Sequence, residues 1–112
     1  MIVTNGARET YAGAGDDTIC VVGYFEPYVD AGDGDDVVDA TSINSLRNGV
    51  RVDLGAGSDT FEGAGGRDEV TTGTLHADDG IDRVATGRGK DTLTTGDATL
   101  VNHDDVDLGG GN

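Results

Sequence analysis

The most regular feature of the chain is a short alternation in which one apolar residue sits between mostly more polar neighbours. Such triplets are centred on Ile19, Val29, Val38, Val52, Phe61, Val70, Leu75, Val84, Leu93, Leu100 and Val106, at intervals of mostly nine or ten residues. A single apolar position flanked on both sides is the pattern of a very short, half-buried β-strand, whose side chains point alternately to two faces. The centres are β-branched, aliphatic or aromatic, which suits strands. The pattern therefore predicts eleven short strands alternating between two faces, with one long loop from Ala40 to Gly49. They would make about five to six windings of a flattened body, roughly 25 Å long at ~4.8 Å per stacked strand.

The segments between triplets are as regular as the triplets themselves. Ala12-Gly13-Ala14-Gly15-Asp16-Asp17-Thr18-Ile19-Cys20 aligns with Ala31-Gly32-Asp33-Gly34-Asp35-Asp36-Val37-Val38-Asp39 and with Leu54-Gly55-Ala56-Gly57-Ser58-Asp59-Thr60-Phe61-Glu62. Gly63-Ala64-Gly65-Gly66-Arg67-Asp68-Glu69-Val70-Thr71 follows without a gap. Two further contiguous units are Ala77-Asp78-Asp79-Gly80-Ile81-Asp82-Arg83-Val84-Ala85 and Thr86-Gly87-Arg88-Gly89-Lys90-Asp91-Thr92-Leu93-Thr94. All six share Gly at position four, Asp at six and an apolar residue at eight. A flexible Gly-rich linker has no reason to keep this phase. Other triplets, such as Tyr28-Val29-Asp30 and Arg51-Val52-Asp53, keep the strand and lose the glycine turn.

Composition raises the question of what holds such a chain together. It carries 20 glycines, five aromatics and 22 acids against seven bases, a formal charge of -15 over 112 residues. Low hydrophobicity with high net charge is the signature of a chain that cannot offset its own ordering entropy, so a disordered acidic segment is the simplest alternative. A compact state needs its charge neutralised. Nucleic acid and anionic membranes require basic surfaces, so the acidity argues against both as partners. No apolar run approaches the roughly 20 residues of a membrane span. The N-terminus shows no basic region followed by an apolar stretch, so no cleavable signal peptide is expected. Cys20 is alone, so no internal disulfide is available.

A divalent cation answers both observations. Glycine at positions two and four permits positive φ and leaves the backbone carbonyls unobstructed, while the aspartate supplies charge. Hard cations such as calcium take about six to eight oxygens at roughly 2.3–2.6 Å, and such turns present oxygens of both kinds.

In these residues the chain resembles the RTX, hemolysin-type family of calcium-binding nonapeptide repeats, over most of residues 12–94 and with a partial unit at the end. The resemblance implies an all-β fold: a parallel β-roll, a flattened right-handed β-solenoid stabilised by calcium between successive turns. It implies side-chain ligation by Asp17, Asp36, Asp59, Asp68, Asp82 and Asp91. Carbonyl ligands would come from Gly13 and Gly15, Gly32 and Gly34, Gly55 and Gly57, and Gly87 and Gly89. The chain departs from the family pattern at the first glycine, replaced by Ala12, Ala31, Leu54, Ala77 and Thr86, and at Asp78 in a second position. The aspartates are 19, 23, 9, 14 and 9 residues apart instead of a steady nine, so about three to five ions are expected. Residues 1–112 read as one such domain, ending in Leu108-Gly109-Gly110-Gly111-Asn112 inside another repeat, so a longer secreted or extracellular parent with other domains is expected. Oligomeric state is left open.

Other chemistries fit less well. An EF-hand reading of Asp33-Gly34-Asp35-Asp36-Val37-Val38 fails because valine stands where glycine is required. His76 and His103 have no spaced Cys or second His nearby for zinc. No nucleophile–base constellation appears, so this segment is not expected to be an enzyme. Thr18, Thr60 and Thr92 precede core residues and suggest an outward ladder, the basis of an alternative in which a calcium-rigidified repeat binds a surface such as ice. Val37, Glu69 and Arg83 hold the same position and break that ladder.

Overall fold

Every predicted triplet within the described part of the molecule is a strand. The computed structural model describes residues 1–23, 26–43, 49–63, 65–72, 83–89, 91–94 and 105–107. The triplets centred on Leu75 and Leu100 lie outside these residues. The strands are β1 (Ile2–Val3), β2 (Glu9–Tyr11), β3 (Thr18–Cys20), β4 (Tyr28–Asp30), β5 (Val37–Asp39), β6 (Arg51–Asp53) and β7 (Thr60–Glu62). They continue with β8 (Gly65–Gly66), β9 (Glu69–Thr71), β10 (Arg83–Ala85), β11 (Arg88–Gly89), β12 (Thr92–Thr94) and β13 (Asp105–Asp107). Among the described residues there is no helix.

From β2 onward the three-residue strands alternate between two parallel sheets. One has the order β1-β3-β5-β7-β10-β13, the other β12-β9-β6-β4-β2, and neither closes into a barrel. A strand therefore pairs with the next-but-one triplet of the sequence. A small third ladder joins β8 to β11.

The register places like with like. Along the first sheet Ile2, Ile19, Val38, Phe61, Val84 and Val106 are successive partners. Along the second, Thr10, Val29, Val52, Val70 and Leu93 are. Ile19, Val29, Val38, Val52, Phe61, Val70 and Val84 are buried, joined by Val21, Ala31, Ala40, Ile43, Val50 and Leu54 from the corners. A one-residue slip in any strand would turn its centre outward, so this thin core also fixes the phase of every turn.

Sequence pattern missed four elements for identifiable reasons. Glu9–Tyr11 has threonine at its centre, Ile2–Val3 lacks an alternating flank, and Gly65–Gly66 and Arg88–Gly89 have no apolar centre at all. These strands form because their neighbours hold them in register.

Candidate functional site

The turn segments stack as closely as the strands do. Residues 13–17, 32–36 and 55–59, which lead into β3, β5 and β7, form one column on one side of the molecule. Single parallel bridges join Ala14 to Asp33 and Asp33 to Ala56. Gly13, Gly32 and Gly55 lie one above another, as do Gly15, Gly34 and Gly57, all with positive φ. A Cβ on Gly32 would run into the Gly13 carbonyl oxygen, and one on Gly55 into that of Gly32. Glycine is required there for backbone approach as well as for conformation.

The aspartates tie each turn to its neighbour. The Asp17 N–H donates to Asp36 Oδ1 at 2.7 Å, and the Asp36 N–H donates to Asp59 Oδ1 at 2.8 Å. Each position-six carboxylate thus reaches back to the turn before it. Position five reaches forward: Asp16 Oδ1 accepts from the Asp35 N–H, and Asp35 Oδ1 from the Ser58 N–H, both at 2.9 Å. Asp16 is exposed, as the sequence suggested, and still joins two turns.

A second column lies on the other side. The Asp68 N–H donates to Asp91 Oδ1, and the Val50 N–H donates to Asp68 Oδ1, each at 3.0 Å. Asp68 is enclosed between two glycines. A Cβ on Gly49 would lie 2.5 Å from its Oδ1, and one on Gly63 would lie 2.5 Å from its Oδ2 and 2.7 Å from the Thr86 carbonyl oxygen. A cleft of about 250 Å³ opens beside Asp68, lined in part by Glu26, Gly49, Glu69 and Thr92.

These carboxylates are deeply buried. Asp36, Asp59 and Asp68 are only 1%, 1% and 2% exposed. Among the described residues, the second oxygens of Asp36, Asp68 and Asp91, and the hydroxyl of fully buried Thr86, have no hydrogen-bond partner. Burial raises the Asp68 pKa to about 6 against the hydrogen bond from Val50, with the Asp91 charge adding to the rise. Asp36 is raised as well, first by burial and then, against the bond from Asp17, by the charges of Asp17, Asp16 and Asp35. Orphaned buried anionic oxygens are costly and rare in folded chains.

A hard cation fits this donor set. Among the described residues no three His, Cys, Asp or Glu side chains gather as a metal-binding group. Carboxylates come instead in pairs from successive turns, so backbone oxygens would have to complete any coordination sphere. They are present. The Gly13 and Gly32 carbonyls each accept one ladder bond, from Asp33 and Ala56, and keep a second lone pair. The Gly15 and Gly34 carbonyls accept none of the described backbone bonds between turns.

Of the residues singled out by sequence, Asp17, Asp36 and Asp59 come together with Gly13, Gly15, Gly32, Gly34, Gly55 and Gly57 in the first column. Asp68 and Asp91 meet in the second, where Gly87 (φ 81°) lies in the turn before β11 and Gly89 lies within β11. Asp82 lies outside the described residues. Sequence reasoning missed Gly49, Gly63 and Thr86. Thr86 and Gly63 both occupy position one of their units, which was read only as the place where a glycine is usually lost. Equal spacing of 23 residues in Asp36–Asp59 and Asp68–Asp91 was the available signal that these aspartates pair across windings.

The chain matches no model of a known protein family, no curated protein and no solved structure. The outward row beside the core residues reads Thr18, Val37, Thr60 and Arg83 in register, so its threonines are not contiguous.

Proposed function

We propose that the chain is a calcium-binding module, a parallel β-roll of the RTX type that folds as calcium enters its stacked turns, and that it forms part of a larger secreted protein. The observation that carries this reading is the set of in-register aspartates whose first oxygen is used by the neighbouring winding. The second oxygens of Asp36, Asp68 and Asp91 are buried and unpartnered among the described residues. The two sheets, their parallel register and their alternating strands support the roll.

In the first column Asp17, Asp36 and Asp59 would hold calcium with carbonyls of Gly13, Gly15, Gly32, Gly34, Gly55 and Gly57. In the second column Asp68 and Asp91 would do so with the Thr86 carbonyl. Calcium would supply positive charge to a chain carrying -15 and would join successive windings. Because the aspartates are brought together only by folding, binding free energy becomes folding free energy. Contacts between neighbouring windings make the response cooperative. In a low-calcium compartment the chain stays open, and outside the cell it closes.

Far-UV circular dichroism in EDTA, followed by titration to about 10 mM calcium, above the weak extracellular affinity range, tests this directly. A cooperative coil-to-β transition with calcium and none with magnesium is expected. A β spectrum already complete in EDTA and insensitive to calcium would overturn the proposal. Asp59→Ala, in the middle of the first column, should raise the calcium midpoint, and an unchanged midpoint would remove Asp59 from the ligand set.

A further inference from the structure

The outer face of the second sheet carries a feature that calcium in the turns does not use. Glu9 and Tyr11 of β2 stand in register with Tyr28 and Asp30 of β4, giving a two-by-two checkerboard of rings and carboxylates. The two rings lie 6.0 Å apart, inclined by 57°, and Tyr11 is 63% exposed. Asp53 of β6 extends the acidic row beside Asp30. Arg51 of β6, the register partner of Tyr28, is paired with Glu69, Nε to Oε2 3.3 Å. No described ion pair involves Glu9, Asp30 or Asp53. Beside Tyr11 a hollow of about 530 Å³ runs to the turn column, lined by Asp30, Asp33, Gly13, Ala14 and Gly32. The acids act on the rings: the Glu9 charge chiefly raises the Tyr11 phenol, whereas burial and then Asp30 and Asp53 raise Tyr28.

We infer that this corner, formed by Tyr11 and Tyr28 with Glu9 and Asp30, is a docking surface for an arginine-bearing segment of another protein. Charge complementarity decides the partner's sign, and the rings decide its shape. A planar guanidinium stacks on an aromatic face and donates two parallel hydrogen bonds to a carboxylate, while an ammonium acts as a point charge. The inclined rings make a corner, so a flat ligand plane lying across both at once is not what the face offers. The inference rests on Glu9, Tyr11, Tyr28 and Asp30, none of which belongs to the proposed calcium ligand set.

The test uses the full chain in a buffer where circular dichroism shows the β fold, at roughly 150 mM salt, where charges beyond about 8 Å are screened. The probe is a blocked hexa-arginine peptide, with binding followed by calorimetry and by tyrosine fluorescence. Hexa-arginine should bind more tightly than hexalysine, and Tyr11→Leu and Asp30→Asn should each weaken it by about 3-fold, the scale of an exposed cation–π contact or ion pair. Glu62→Gln, which removes one exposed charge from the other sheet, should leave binding unchanged. Equal affinity for the two peptides, or equal losses in all three variants, would mean general attraction to an acidic chain and would overturn the inference. Absence of binding would do the same.

Discussion

The two turn columns are built from the same hexapeptide pattern and face different physical problems. In the first, Asp36 sits among the charges of Asp17, Asp16 and Asp35, and acids at positions five and six clasp neighbouring turns in opposite directions. In the second, Asp91 supplies the charge that adds to the rise at Asp68, which lies between Gly49 and Gly63. Burial is the leading cause in both, and the first column adds more like charge to it. A cation would offset lost hydration in each and relieve more repulsion in the first. One motif thus gives two kinds of site, according to what the opposite winding places beside it.

The comparison breaks most severely at the glycine stack. Gly32→Val would force a side chain into the Gly13 carbonyl at φ 102°. It should cost more than about 3 kcal/mol, the range of combined backbone strain and overpacking. Urea unfolding in saturating calcium would measure it, and a midpoint near that of the parent would show that the first column does not need backbone contact.

Asp68→Asn separates the columns by size. It keeps an acceptor for the Val50 N–H and removes a buried charge, so the calcium-free fold should gain about 2–3 kcal/mol, from a pKa displaced by about two units at ~1.4 kcal/mol each. The same change should weaken the calcium response. Asp36→Asn should give a smaller gain without calcium. If both variants lose stability in EDTA, the carboxylates are stabilising the fold by themselves.

Acid should mimic that substitution. Asp68 has a pKa of about 6 in the fold against an ordinary 3.8. Its contribution to stability is therefore fully present below 3.8 and is lost as pH rises through about 6. In EDTA the β signal should grow as pH falls from about 7.5 to 5, and calcium affinity should fall over the same window because proton and metal compete. A β signal that does not change across that window would contradict the assignment of Asp68 as the desolvated group.

The smallest effect is expected at Asp16→Ala. Its carboxylate is exposed and accepts one N–H, from Asp35, so about 0.5–1.5 kcal/mol is at stake. A loss as large as that of Asp59→Ala would erase the distinction between positions five and six.

What the sequence disclosed follows the same division. Strand positions were legible from the apolar centres Ile19, Val29, Val38, Val52, Phe61 and Val70, because a period-two pattern survives even in three residues. The first column was legible because Gly13–Asp17, Gly32–Asp36 and Gly55–Asp59 share one spelling. The partners of Asp68 were not. The Val50 N–H and the Thr86 carbonyl are backbone groups, invisible to residue type, and they reach the site only because the intervening windings have particular lengths. Glu9–Tyr11 was hidden for a related reason, since Thr10 holds a core register position without being apolar.

Same-side aspartates are 19 residues apart between the first two windings and 23 apart between the next two, yet the turns they define remain in register. The four additional residues are taken up elsewhere in the circuit, before the chain re-enters the column. Lengthening such a molecule is therefore governed by two separate rules. A loop between columns can differ by four residues from one circuit to the next, as these two do, whereas the turns can be added or deleted only as whole circuits. Heritable changes in length should then accumulate at the corners, with the count of windings changing in steps.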